Sequence, residues 1–274
     1  MTSQYEFVEI EVRDHVAHLR LNRPAKLNAM NAVLTEELSQ ALGDLAADTG
    51  VRSVVLSGNG RAFSAGYDLT NDVDLSNDIP AMRAAVEYET AFALKFWSFP
   101  KPIIAAVHGY CLGGACHIAM ACDITIAADT AQFGEPEIRM GGSATLIMPW
   151  LIPMKAAKEL LLTGKRIDAT RAEHLGMVNK VVPADSLIED AHAMAQLIAT
   201  IPARSVEYAK RTINGFYEQQ GFRSSMQYGT EMNLLSLAQP SSDDEFMAMV
   251  GEQGLNAALK WRDAQYARFE ERAR

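Results

Sequence analysis

The fold turns on the stretch Ile103-Ile104-Ala105-Ala106-Val107-His108-Gly109-Tyr110-Cys111-Leu112-Gly113-Gly114-Ala115-Cys116-His117-Ile118-Ala119. Pro100 and Pro102 break the chain ahead of it, and Ile103–Val107 then reads as a buried strand. Gly109 to Gly114 reads as a loop and Ala115–Ala121 as a short apolar helix. A strand that passes through a glycine pair into a helix leaves the first helical N–H groups without partners, at the positive end of the helix. Glycine lets a ligand oxygen come close to them. Such a place suits an anion, or a negative charge that develops during a reaction.

The same alternation continues outward. Tyr5–Val12 and His15–Leu21 predict two strands joined by a turn at Arg13-Asp14. Asn31 is placed to cap a helix running through Leu34, Leu38 and Leu42. Ser53–Leu56 predicts a strand, closed by the turn Ser57-Gly58-Asn59-Gly60. Thr70–Pro80 is polar and predicts a surface loop; a helix over Ala81 to Ser98 follows, and Ile124–Ala127 is another strand. From Asp185 on the patterns are helical, punctuated by Pro202 and Pro240. Strands alternating with helices predict an α/β fold with a largely parallel sheet. The division is a core over residues 1–200 and a helical C-terminal region over 201–274, with no internal repeat or low-complexity tract visible in the sequence.

The 274 residues suffice for a sizeable core, and apolar residues make up 49% of them. No run stays apolar for the roughly 18 residues of a membrane span. Met1 to Arg13 carries Glu6, Glu9 and Glu11 and has no apolar run of the secretory type, so the expected location is the cytoplasm. The net charge of −9 comes without a basic cluster, which argues against a nucleic-acid partner. Three cysteines, Cys111, Cys116 and Cys122, lie close together with His117 among them. Their spacing fits no standard zinc pattern, and buried thiols are the better reading. Gly58-Asn59-Gly60-Arg61-Ala62-Phe63 puts Phe63 where a dinucleotide fingerprint needs its third glycine. Ala62-Phe63-Ser64-Ala65-Gly66 lacks the first glycine of a serine nucleophile elbow.

Three segments carry chemistry jointly: Ala62-Phe63-Ser64-Ala65-Gly66-Tyr67-Asp68-Leu69, Ala106 to Cys116, and Phe133-Gly134-Glu135-Pro136-Glu137. Two glycine loops can each offer an N–H to one oxygen, which stabilises a thioester carbonyl as it becomes an enolate. A nearby carboxylate can then move the proton beside the carbonyl. With Leu21-Asn22-Arg23-Pro24, Asn28-Ala29-Met30-Asn31, Leu162-Thr163-Gly164 and Ala172 to Asn179, these segments resemble the crotonase superfamily, the enoyl-CoA hydratase/isomerase family, over nearly the whole chain.

The resemblance implies a spiral of ββα turns followed by C-terminal helices, assembled as a trimer or a dimer of trimers. It implies an acyl-CoA substrate, with coenzyme A as part of that substrate, and no prosthetic group or metal. It assigns the oxyanion hole to the backbone N–H groups of Tyr67 and Gly114, and acid–base catalysis to Glu137. Coenzyme A would lie along Lys26, Leu27 and Ala29 and along Ala65, Asp68 and Leu69, with the C-terminal helix near Lys260 and Tyr266 holding its nucleotide end. Tyr67, Met82, Val86 and Thr145 are expected around the acyl group.

The chain departs from the family where a hydratase carries its first glutamate, because His117 stands there. The stretch Met140-Gly141-Gly142-Ser143-Ala144-Thr145 is also shorter than the family's. Either His117 fills the vacated space and leaves Glu137 as the only acid/base, or it shares proton transfer, since free imidazole titrates at about 6.5. Four functions stay open: a double-bond isomerase with one base, a hydratase using His117, a C–C bond hydrolase of a β-diketone or β-keto thioester, and a non-catalytic coenzyme A-binding protein.

Overall fold

The computed structural model describes residues 5–69, 78–143, 147–238 and 245–270. Most of the expected 70–80 loop, and Thr145, lie outside them. The chain opens with an antiparallel pair, β1 (Val8–Arg13) and β2 (Val16–Leu21). Their turn falls on Asp14 and His15, with φ of 51° and 65°, one residue later than alternation suggests. Two successive left-handed residues match the twist of the paired strands, so Arg13 stays in the ladder opposite Val16.

In α1 (Ala32–Ala47) the Asn31 side chain accepts from the Leu34 N–H, as a capping residue should. After β3 (Ser53–Gly58) comes α2 (Ile79–Trp97), which starts two residues earlier than expected because Asp78 caps the Ala81 N–H and Pro80 fits the first turn. Then follow β4 (Ile103–Val107), β5 (Tyr110–Leu112), α3 (Gly114–Ala121), β6 (Ile124–Ala128) and β7 (Gln132–Gly134). The segment from Gly109 to Gly114 is therefore not all loop. Three of its residues form β5, which pairs with β7. A 3₁₀ turn at Pro136–Met140 leads to α4 (Met148–Leu151), α5 (Met154–Thr163), β8 (Ile167–Asp168), α6 (Ala169–Leu175), β9 (Lys180–Val182) and α7 (Leu187–Thr200). Helices α8 (Ala203–Gln219), α9 (Phe222–Leu237), α10 (Glu245–Gln253) and α11 (Leu255–Glu270) complete the chain.

The main sheet has the order β1-β2-β3-β4-β6-β9, with every pair but the first parallel. Both faces are covered, which is why its central strands are apolar throughout. In β4, Ile103, Ala105 and Val107 face the principal core, whereas Ile104 and Ala106 meet α7 through Leu187, Ala191 and Ala195. A second sheet, β5-β7-β8, takes one short strand from each successive turn of chain. The sequence β4-β5-α3 is one ββα turn of the spiral the resemblance implies. No helix of the described residues is long and apolar enough to cross a membrane.

Candidate active site

The two glycine loops meet. Met30 N–H donates to Gly66 O at 2.8 Å and Asp68 N–H donates to Met30 O at 3.0 Å, so Tyr67, between them, turns its own N–H away from residue 30. Gly114 opens α3, where an N–H has no helical partner. Among the described residues, no acceptor takes either N–H. Gly66, at φ +93°, lies so close to the second loop that a Cβ there would stand 2.7 Å from Leu112 O and 3.4 Å from Gly114 N. The base of the first loop is fastened by Asn28. Its Nδ2 donates to the carbonyls of Asn59, Ala62 and Phe63, and its Oδ1 accepts from the Arg23 N–H. Ser64 Oγ donates back to Asn28 O at 2.7 Å.

Glycine is required at both positions of the pair, for different reasons. A Cβ on Gly113 would stand 2.5 Å from Glu137 Oε1, so the Glu137 carboxylate packs directly against this backbone. A Cβ on Gly114 would stand 2.6 Å from Cδ2 of the Tyr67 ring and 3.2 Å from Met30 Cε. The Glu137 carboxylate is thus one residue from the Gly114 N–H.

The site also carries charge that sequence spacing did not show. His117, on α3, is buried, and its Nε2 lies 3.2 Å from Oε2 of the equally buried Glu135. The contact is an ion pair without hydrogen-bond alignment, since neither Nε2 nor either Glu135 oxygen has an aligned partner. Burial alone would push the imidazole pKa down, but Glu135, Glu137 and Glu89 outweigh it and hold it up at about 9. Glu137 is pushed up to about 7 by burial and by Glu135, against the pull of His117. Glu89, on α2, is pushed up to about 7 by burial, again opposed by His117. Sequence reasoning passed over Glu89. A lone glutamate on an amphipathic helix reads as solvated surface, yet Met82, Val86, Glu89, Ala93 and Phe96 follow helical spacing, and the other four are buried.

The remaining candidates separate. Lys26, Leu27 and Ala29 lie beside Ala65 and Leu69, because Ala65 N–H donates to Leu27 O at 3.0 Å. Leu27 and Asn28 are left-handed, with φ of 51° and 52°. Leu69 is exposed, but the Asp68 carboxylate is buried and ion-paired with Arg23 at 2.5 Å. Tyr266 is elsewhere: Arg139, two residues after Glu137, stacks on its ring at 4.2 Å. Thus α11 closes on the 3₁₀ turn of its own chain, where Arg262 also donates to Met140 Sδ. Met82 and Val86 pack on Leu234 of α9, whereas Tyr67 packs against the principal core. Both Cys111 and Cys116 are buried free thiols.

A parallel sheet wound in ββα turns is the crotonase class of fold, and here two backbone N–H groups without a partner among the described residues lie near the Glu137 carboxylate. Residues 11–253 match the family model described as enoyl-CoA hydratase/isomerase, and the chain belongs to that family, within the crotonase superfamily. It is similar to an enoyl-CoA hydratase/isomerase from Xanthobacter autotrophicus Py2 whose crystal structure is known. That likeness has a TM-score of 0.91 and 37% identity over 96% of this chain and 99% of the other. It is 40% identical over 220 residues to a probable enoyl-CoA hydratase of Rhizobium meliloti, covering 77% of this chain and 82% of that one. It is 37% identical over 227 residues to the probable enoyl-CoA hydratase echA8 of Mycobacterium tuberculosis, covering 78% and 83%.

Proposed function

We propose that this protein is an enzyme acting on an acyl-CoA thioester through an enolate, with 2-enoyl thioester hydration as its reaction. The observation that carries the reading is the placement of the Glu137 carboxylate against Gly113, one residue from the free N–H of Gly114 and across from that of Tyr67. A thioester oxygen accepting from both N–H groups sets C2 beside Glu137. As negative charge moves onto that oxygen, the fixed donors stabilise it without reorganising. A carboxyl that titrates at about 7 is suited to giving and taking a proton near neutrality. The names of the relatives support the substrate class and the hydratase reading.

His117 acts in this reading as the counter-charge of Glu135 rather than as a base, because an imidazole held up at about 9 carries its proton at neutral pH. That weighs against the C–C hydrolase. The isomerase is the second reading, favoured by the single glutamate in the family's usual pair of positions. Coenzyme A enters as part of the substrate, and Lys26, Leu27, Ala29, Ala65 and Leu69 form the edge along which it lies. Asp68 serves that edge by holding Arg23, and Tyr266 by seating α11 over the 3₁₀ turn. Mixing the protein with crotonyl-CoA and with a 3-enoyl-CoA, and following the conjugated thioester absorbance, tests the proposal. Loss of absorbance with the first supports hydration; a gain with the second and no change with the first replaces it by isomerisation.

A further inference from the structure

Glu89 stands out among the titratable groups of the molecule. It lies in helical phase with the buried apolar residues Met82, Val86, Ala93 and Phe96 of α2 and is itself only partly accessible. Helix α2 packs against α3, which carries His117, and against α9. On the α9 side the row is closed by Leu234, by the Thr90–Thr230 hydroxyl pair at 2.6 Å and by Arg83 with Glu231. Among the described residues no hydrogen bond or ion pair holds the Glu89 carboxylate. The groups it acts on are His117, Glu137 and the Tyr67 phenol, which are the side chains of the site itself. A carboxylate whose charge is largely desolvated among apolar neighbours costs stability and adds nothing to packing.

We propose that Glu89 is the second catalytic carboxylate: with the thioester between them, Glu89 takes a proton from the water that adds to C3 while Glu137 delivers one to C2. The inference rests on the enolate reading above and completes it. The water oxygen bonds to C3, and the C2–C3 π electrons move onto the thioester oxygen. The enolate then collapses and draws the proton of the Glu137 acid to C2. The product is the 3-hydroxyacyl thioester. Glu89 ends protonated and Glu137 ionised, and proton exchange with solvent resets both. His117, paired with Glu135, supplies a positive charge that acts on both carboxylates, so that one can be ionised while the other keeps its proton.

The test compares two reactions of one variant. Hydration of crotonyl-CoA needs both carboxylates. Exchange of the C2 protons of butyryl-CoA in D2O needs Glu137 and the two N–H groups alone. In Glu89→Gln, kcat for hydration should fall by roughly 10²–10⁴ while exchange falls far less, and Glu89→Asp should recover part of the hydration rate. Hydration that survives in Glu89→Gln overturns the assignment. So does a parallel fall of both reactions in Glu89→Gln and Glu89→Asp, which would make Glu89 part of the scaffold. If the wild-type protein exchanges no C2 proton, the enolate reading fails first and the role of Glu89 falls with it.

Discussion

Replacing Gly114 by alanine probes the oxyanion site without touching a charged group. The added Cβ would stand 2.6 Å from Tyr67 Cδ2, about 0.8 Å short of ordinary contact, and 3.2 Å from Met30 Cε. Gly114 is the first residue of α3 and needs no left-handed backbone, so the strain falls on the Tyr67 ring. That ring belongs to the residue whose N–H is the second donor, so relief of the clash moves one donor away from the other. A displacement approaching 1 Å costs on the order of 10²-fold in rate, and loss of one donor altogether about 10²–10³-fold. The overpacking itself should cost about 1–3 kcal/mol of stability. The assay is kcat for crotonyl-CoA hydration, together with the absorbance of the enolate that bound acetoacetyl-CoA forms. Both should fall in Gly114→Ala. Truncating the ring in the double variant Gly114→Ala/Tyr67→Ala removes the atoms that clash and should restore part of the enolate signal. A Gly114→Ala protein with an undiminished rate and enolate signal would refute the reasoning.

Glu135→Gln removes the nearest counter-charge of His117, and the imidazole pKa should drop below its present value near 9, as read by NMR titration of the ring protons. Asn28→Ala leaves three carbonyls and the Arg23 N–H without their partner; at about 1–3 kcal/mol for a buried group left unsatisfied, denaturant unfolding should show a loss of at least ~3 kcal/mol. For pH, Glu89 and Glu137 have native pKa values raised to about 7. Their stabilising contribution is complete below the unfolded value near 4.5 and is lost as pH rises through 7. His117, raised to about 9, likewise contributes fully below 6.5 and loses that contribution through pH 9. Glu89→Gln, neutral throughout, should therefore lose less thermal stability than the wild type between pH 5 and 8, by an amount on the order of 3 kcal/mol at most.

Much of this site is legible in the sequence because glycine carries its constraint locally. Gly66, Gly113 and Gly114 mark close backbone approaches wherever the rest of the chain goes, and Glu137 follows a strand and a proline that fix its direction. The order of strands and helices was legible for the same reason, since the apolar runs of β3, β4 and β6 need no partner to be recognised. Strands of three residues, β5 and β7, were not, because so short a run carries no period. Nor was the second sheet, whose ladders join residues far apart in the chain. The members of the His117–Glu135 pair are separated by the rest of α3 and by the strands β6 and β7, and only the folded chain brings them together. Glu89 left a signal that single-residue reading misses: a carboxylate in phase with Met82, Val86, Ala93 and Phe96.

The placement of Glu137 beside two free N–H groups is tested most directly by C2 proton exchange of butyryl-CoA in D2O, followed by NMR for the wild type and for Glu137→Gln. The expected result is exchange by the wild type and a loss of 10²-fold or more in the variant. Exchange that proceeds equally well in Glu137→Gln would contradict the assignment.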